Sequence, residues 1–106
     1  MLRHVERHMT DPQIVTAPKD RWTLLAVLFQ SPEKENGWSL ALGQWEGVSC
    51  LAIRWNGNKD RPKGNPISHG QPTWFVVPND LELNVLHAVE VPKDKMTLAN
   101  ALLKLE

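Results

Sequence analysis

Several things that this chain lacks limit what it can be. Cys50 is its one cysteine, so no disulfide can form within it. Together with the absence of a recognisable signal peptide, this predicts a reducing, cytoplasmic location. No apolar run approaches the roughly 20 residues that a membrane-spanning helix needs, so no membrane contact is expected. The formal net charge is zero, whereas proteins that live on duplex DNA are usually basic.

Tyrosine is also absent, yet the chain has five tryptophans in 106 residues. This length fits one small domain with a thin margin of stability, which favours dimerisation. Five indoles are more than the core of such a domain holds, so at least one is expected at a rim, a groove or an interface. They are Trp22, Trp38, Trp45, Trp55 and Trp74.

The polar start of the chain contrasts with the rest. Residues 1–20 contain Pro12 and Pro18 and predict a flexible N-terminal arm, which leaves residues 21–106 as a single domain. The run "RWTLLAVLFQ" that follows predicts a buried strand, with a helix as the alternative.

A β-hairpin is predicted around Glu46-Gly47, which separates the runs "WSLALGQW" and "VSCLAIRW". Side chains alternate between the two faces of a strand, so one face of this hairpin carries large residues and is expected to face the core. The other face carries small residues such as Ala41, Cys50 and Ala52, and could lie open.

Further along, "TWFVV" predicts a fourth strand. Asn79 followed by Glu82 has the spacing of a capping box, which predicts a helix from Asp80 to about Glu90. "TLANALLKL" predicts a short second helix with Thr97 as its cap. The fold class is therefore α+β, an antiparallel sheet of about four strands with one or two C-terminal helices packed on one face.

A long irregular segment from about Asn56 to Pro72 contains the strongest functional signal. It is rich in cations and is flanked by two tryptophans. Cations that pair with phosphates, beside aromatic rings that stack on bases, are the two parts of a surface for single-stranded nucleic acid. The alternative is a solvated loop with both tryptophans in the core. The candidate residues are Arg54, Trp55, Lys59, Arg61, Lys63 and Trp74.

Other candidate sites are weaker. His4 and His8 have helical spacing, but no third ligand is evident, so no metal is expected. Ser68 and His69 are adjacent and lack an orienting carboxylate, so they do not form a catalytic pair. Cys50 is expected to be a buried thiol. The sequence thus predicts no catalytic residues, no metal and no cofactor.

Three pieces of the chain resemble the PC4-like transcriptional coactivator family, in particular its bacterial members. They are Gly37-Trp38, Arg54-Trp55 and Lys63-Gly64, with a helix after Pro78. The resemblance implies a homodimer joined through the helices, which binds single-stranded DNA across curved sheets without marked sequence preference. The family lacks a counterpart of "NPISHGQPTW", residues 65–74.

Two functions from different classes follow, and an enzyme is the third and least favoured alternative. The first is a non-catalytic, homodimeric binding module for single-stranded DNA or RNA. The second is a protein-interaction module, or an accessory protein of a bacterial mobile element or gene cassette, without contact to nucleic acid; the neutral net charge favours it.

Overall fold

A computed structural model describes residues 9–104 of the chain. Short 3-10 helices lie at Pro12–Ile14 and Asn79–Leu81. The strands are β1 (Trp22–Gln30), β2 (Gly37–Trp45), β3 (Val48–Gly57), β4 (Ile67–Ser68), β5 (Gln71–Pro72) and β6 (Phe75–Val76). The helices are α1 (Glu82–His87) and α2 (Lys93–Leu103).

Within these residues the main sheet has four antiparallel strands in the order β1-β2-β3-β6, and β4 and β5 pair separately as a small hairpin. The predicted α+β fold with C-terminal helices is confirmed, and residues 21–30 give a strand instead of a helix. The β2–β3 turn at Glu46 and Gly47 has φ of 51° and 85°. Positive φ at both turn residues suits the twist of a two-residue hairpin, as the sequence predicted.

The helical region departs from the prediction in two places. Asn79 does not cap a helix; α1 begins at Glu82 without a side-chain cap, and the Glu82 carboxylate turns inward to accept a 3.3 Å hydrogen bond from the backbone N–H of Leu51. The second helix begins at Lys93, directly after Pro92, and the hydroxyl of Thr97 donates to the carbonyl of Lys93 at 3.1 Å. The capping-box prediction is wrong because the Glu82 carboxylate accepts its hydrogen bond from the N–H of Leu51 on β3 and not from the backbone N–H of Asn79.

The helices cover part of one face of the sheet. The buried residues of this core come from the sheet and both helices: Leu28, Leu40, Leu42, Leu51, Val77, Leu86 and Ala99. Lys95 on α2 also donates to the carbonyl of Val27 at 2.8 Å, which ties the helix to the edge strand β1. We call this side of the sheet the helix face.

The opposite side, which we call the small-residue face, is also covered. Val15, Trp22 and Trp74 lie buried over Ala41, Cys50 and Ala52. The two indole centroids are 6.3 Å apart. A Cβ on Gly43 would lie 2.2 Å from the Trp22 ring, so only glycine leaves room for that indole. The expectation of an open face is wrong, because small residues on a sheet make space for large ones above it.

The described part of the N-terminal segment lies along the sheet. The backbone N–H of Thr10 donates to the carbonyl of Asn56 at 2.9 Å, and Val15 is 2% exposed. Residues 10–15 are thus attached to the domain, although the sequence predicts a flexible arm through residue 20. His4 and His8 lie outside the described residues.

Candidate binding site

The segment that the sequence marks as irregular is built of short ordered pieces. The side chain of Asn58 accepts from the backbone N–H groups of Asp60 and Arg61 at 3.0 and 2.8 Å, which closes the first turn. The backbones of Trp55 and Asn65 then exchange two hydrogen bonds of 2.8 and 3.0 Å. Residues 67–72 form the β4–β5 hairpin. The segment is therefore a folded extension of the sheet.

Arg54 does not lie on the surface. It is 2% exposed, and its guanidinium donates to the carbonyl of Thr73 at 2.7 Å and to the carbonyl of Lys63. Burial lowers its pKa to about 10, so it remains a cation at neutral pH. Its prediction as a phosphate ligand is wrong, because β3 directs it to the small-residue face, where it ties two loop carbonyls together.

Trp74 is the second predicted site residue that lies inside. It is 8% exposed, and its Nε1 donates to the carbonyl of Val15 at 2.7 Å. Its prediction as a stacking residue is wrong, because the indole belongs to the core of the small-residue face.

Trp55, by contrast, is 54% exposed and lies on the helix face. Phe75 is 57% exposed and stands on β6 directly opposite Ile53 of β3. The helices pack over the part of this face that holds Leu40, Leu42 and Leu51, and they leave the aromatic part bare. An open groove of about 580 Å³ results, lined by Trp38, Ile53, Arg54, Trp55, Asn65, Pro66 and Phe75. We call it the aromatic groove.

The sequence prediction missed Phe75. The signal was present, because Phe75 follows Trp74 on a strand, and neighbouring side chains point to opposite faces. Once Trp74 is assigned to the core, Phe75 must face the other way.

Of the remaining predicted cations, Arg61 lies next to the groove, and Lys63 lines a separate cleft with residues of the N-terminal segment. Lys59, Arg61 and Lys63 are all exposed. Arg61 and Trp55 share the wall of a smaller cleft that adjoins the groove at Asn65. Lys63 donates from Nζ to the carbonyl of Gly70 at 2.7 Å, which joins the basic segment to the β4–β5 turn. Asp60 is the one acidic residue in this stretch, so the local charge is positive.

The other candidate residues that the structure describes do not line the aromatic groove. Ser68 and His69 are in contact at 3.1 Å on an exposed turn. Cys50 is buried, and burial, followed by the charge of Glu82, raises the pKa of its thiol. Within residues 9–104 no three metal-ligating side chains cluster. In the same residues no helix is long and apolar enough to cross a membrane.

Comparisons with protein families, with curated proteins and with solved structures found no match to this chain. The PC4-like resemblance therefore stays a prediction.

Proposed function

We propose that the protein is a non-catalytic module that binds single-stranded nucleic acid at the aromatic groove. One observation carries the proposal: two exposed aromatic rings, Trp55 and Phe75, stand on a part of the sheet that the helices leave bare, and the exposed cation Arg61 lines a cleft that adjoins them at Trp55. Bases stack on the rings, and Lys59, Arg61 and Lys63 pair with phosphates.

The physical chemistry favours a single strand over a duplex. Stacking on a protein ring requires an unpaired base and contributes about 1–3 kcal/mol per base. Three cations can neutralise a few phosphates, but the neutral net charge adds no general attraction to DNA. The unpaired thiol of Cys50 fits the reducing cytoplasm in which such a module would act.

Fluorescence anisotropy tests the proposal with labelled 20-nucleotide single strands of DNA and RNA and a duplex of the same length. We expect binding to single strands and weaker binding to the duplex. With three phosphate contacts, the logarithm of the binding constant should fall with the logarithm of salt concentration with a slope of about −2. Absence of binding to every single strand at low salt would overturn the proposal.

Matched variants separate the two components of the site. Arg61→Ala should weaken binding to all strands and reduce the salt slope by about 0.7. Trp55→Ala should weaken binding while the slope stays unchanged, because stacking releases no counterions. Lys93→Ala on α2 is the control, since it removes an exposed cation outside the basic segment.

A second candidate is a protein-interaction module, and the apolar lining of the groove favours it. Exposed Leu81, Leu83 and Leu98 add further apolar surface on the helical side. The partner would be another protein or a second copy of the chain. Light scattering at micromolar concentration tests for the homodimer. A partner that stays bound in 1 M salt after nuclease treatment would favour this function over the first.

A further inference from the structure

We infer that the aromatic groove holds one unpaired nucleobase at a time, inserted between the rings of Trp55 and Phe75. The inference rests on the proposed function and concerns how the site engages a strand. The other arrangement would be a flat platform on which several consecutive bases stack in a row.

The strand register sets the spacing of the two rings. Phe75 lies opposite Ile53, and Trp55 lies two residues beyond Ile53 on the same face. Trp55 and Phe75 are therefore diagonal neighbours, a relation in which the backbone positions on adjacent strands typically lie about 7–8 Å apart. Side chains stand roughly perpendicular to a sheet. Stacked bases advance about 3.4 Å, so a base between two rings requires about 7 Å. Rings that follow this spacing leave room for one base between them.

The borders of the gap restrict it to a single base. Ile53 lies beside both rings, and the Asn65-Pro66 segment lines the groove next to Trp55. Trp38, opposite Trp55 on β2, packs against Phe29 with ring centroids 5.1 Å apart and is only partly exposed. Its ring is engaged within the protein, so the stacking surface does not continue across the sheet.

The two sides of the gap are held in place by the chain itself. Asn65 is bonded to Trp55 by two backbone hydrogen bonds. Beneath them, the Arg54 guanidinium joins the carbonyl of Lys63, two residues before Asn65, to that of Thr73, two residues before Phe75. A gap that is already formed binds without the cost of ordering its walls. The buried guanidinium thus positions the binding residues from beneath the groove.

The polar groups at the rim predict little discrimination among bases. The backbone groups of Trp55 and Asn65 bond to each other, and Pro66 has no N–H. The side-chain amide of Asn65 is exposed and carries both donors and an acceptor. It can therefore meet the edge of any base, so purines and pyrimidines should bind within a few-fold of each other.

Three 12-nucleotide DNA strands test the inference. The first is abasic throughout, the second carries one thymine at its centre, and the third carries thymine at every position. We expect the single thymine to raise affinity at least about tenfold over the abasic strand, a gain that lies within the range of the stacking contribution of one base. The eleven further bases should add at most about twelvefold, the statistical factor for twelve equivalent positions, whereas a platform that stacks several bases would multiply the gain with each base.

Substitutions test whether the gain in affinity from the single thymine depends on the two rings. Phe75→Ala should remove the gain from the single thymine and leave binding to the abasic strand unchanged. Phe75→Trp should keep the gain. Ile67→Ala is the matched control, since Ile67 is also an exposed apolar residue, at 47%, but lies outside the groove. Thermal melting of each variant checks that the fold is retained.

The outcomes distinguish the inference from the function. If no strand binds, the proposed function itself fails. If the all-thymine strand binds but the single thymine gives no gain, or if Trp55→Ala removes that gain and Phe75→Ala does not, the one-base slot is wrong while the function stands. A tenfold gain that depends on both rings supports both.

Discussion

The two faces of the sheet differ in what lies over them. Over the small-residue face, Trp22 and Trp74 fill the space that Ala41, Gly43 and Ala52 leave. Over the helix face, α1 and α2 cover the leucines, and the aromatic groove stays bare. The face with the larger residues is thus the one that is partly open. A row of small side chains indicates close packing of something large, and exposed rings beside a covered core indicate a surface for a partner.

Closing the space above Gly43 should disturb this arrangement most. In Gly43→Val, the new Cβ would lie 2.2 Å from the Trp22 ring and 2.6 Å from the backbone oxygen of Thr23. We expect the free energy of unfolding to fall by about 3 kcal/mol or more, measured by urea denaturation. Gln44→Val, one residue on and facing the other side, should change it by no more than about 0.5 kcal/mol. An equal effect of both variants would contradict the close packing of the small-residue face.

Arg54 of β3 and Arg61 of the loop that follows provide the next test. Arg54→Met keeps the volume but leaves the carbonyls of Thr73 and Lys63 without their donor, and we expect a loss of about 2 kcal/mol in stability. Arg61→Met should leave stability unchanged and weaken binding to single strands. If Arg54→Met melted like the unmodified protein and yet bound nucleic acid poorly, Arg54 would be a ligand contact after all.

The buried Trp74 and the exposed Trp55 allow the same kind of comparison. Trp74→Phe retains a ring but removes the N–H that donates to the carbonyl of Val15, which should cost about 1–2 kcal/mol. Trp55→Phe should alter stability by less than about 0.5 kcal/mol, because that ring is exposed. Iodide should quench the fluorescence of the exposed Trp55 and leave that of the buried Trp74 unchanged, so Trp55→Phe should lower the fraction of quenchable fluorescence and Trp74→Phe should raise it. If iodide quenched Trp55 and Trp74 equally, the two indoles would be equally exposed, which would contradict the structure.

Local patterns sufficed for much of the fold. Alternation and the Glu46-Gly47 turn identified the hairpin, and the same alternation placed Arg54 and Trp55 on opposite faces of β3. The alternation of side chains did not show which face of the sheet would be covered. The small-residue face is covered by Val15 and Trp74, which are 59 residues apart and meet only in the folded chain. The sequence therefore placed the candidate site in the segment that borders the aromatic groove, with two buried residues included and Phe75 omitted.

The smallest expected effect concerns the helix face, where the carboxylate of Glu82 is 5% exposed. Burial raises the pKa of this carboxyl, and its hydrogen bond from Leu51 opposes the rise only in part. The ionised form is thus disfavoured in the folded state. The contribution of Glu82 to stability should fall as pH rises from the ordinary glutamate pKa, about 4.3, through the raised value.

Glu82→Gln keeps an acceptor for the Leu51 N–H and removes the buried charge. At pH 7 it should therefore raise stability by on the order of 0.5 kcal/mol, and this advantage should shrink as pH falls towards 4, where the native carboxyl takes up its proton. Urea titrations of both proteins at several pH values measure the difference, in which the titration of all other groups cancels. Glu90→Gln, at an exposed position, should show no such pH dependence. If the Glu82→Gln advantage grew on acidification, the carboxylate would be stabilised by its surroundings, and the pKa shift would have the opposite sign.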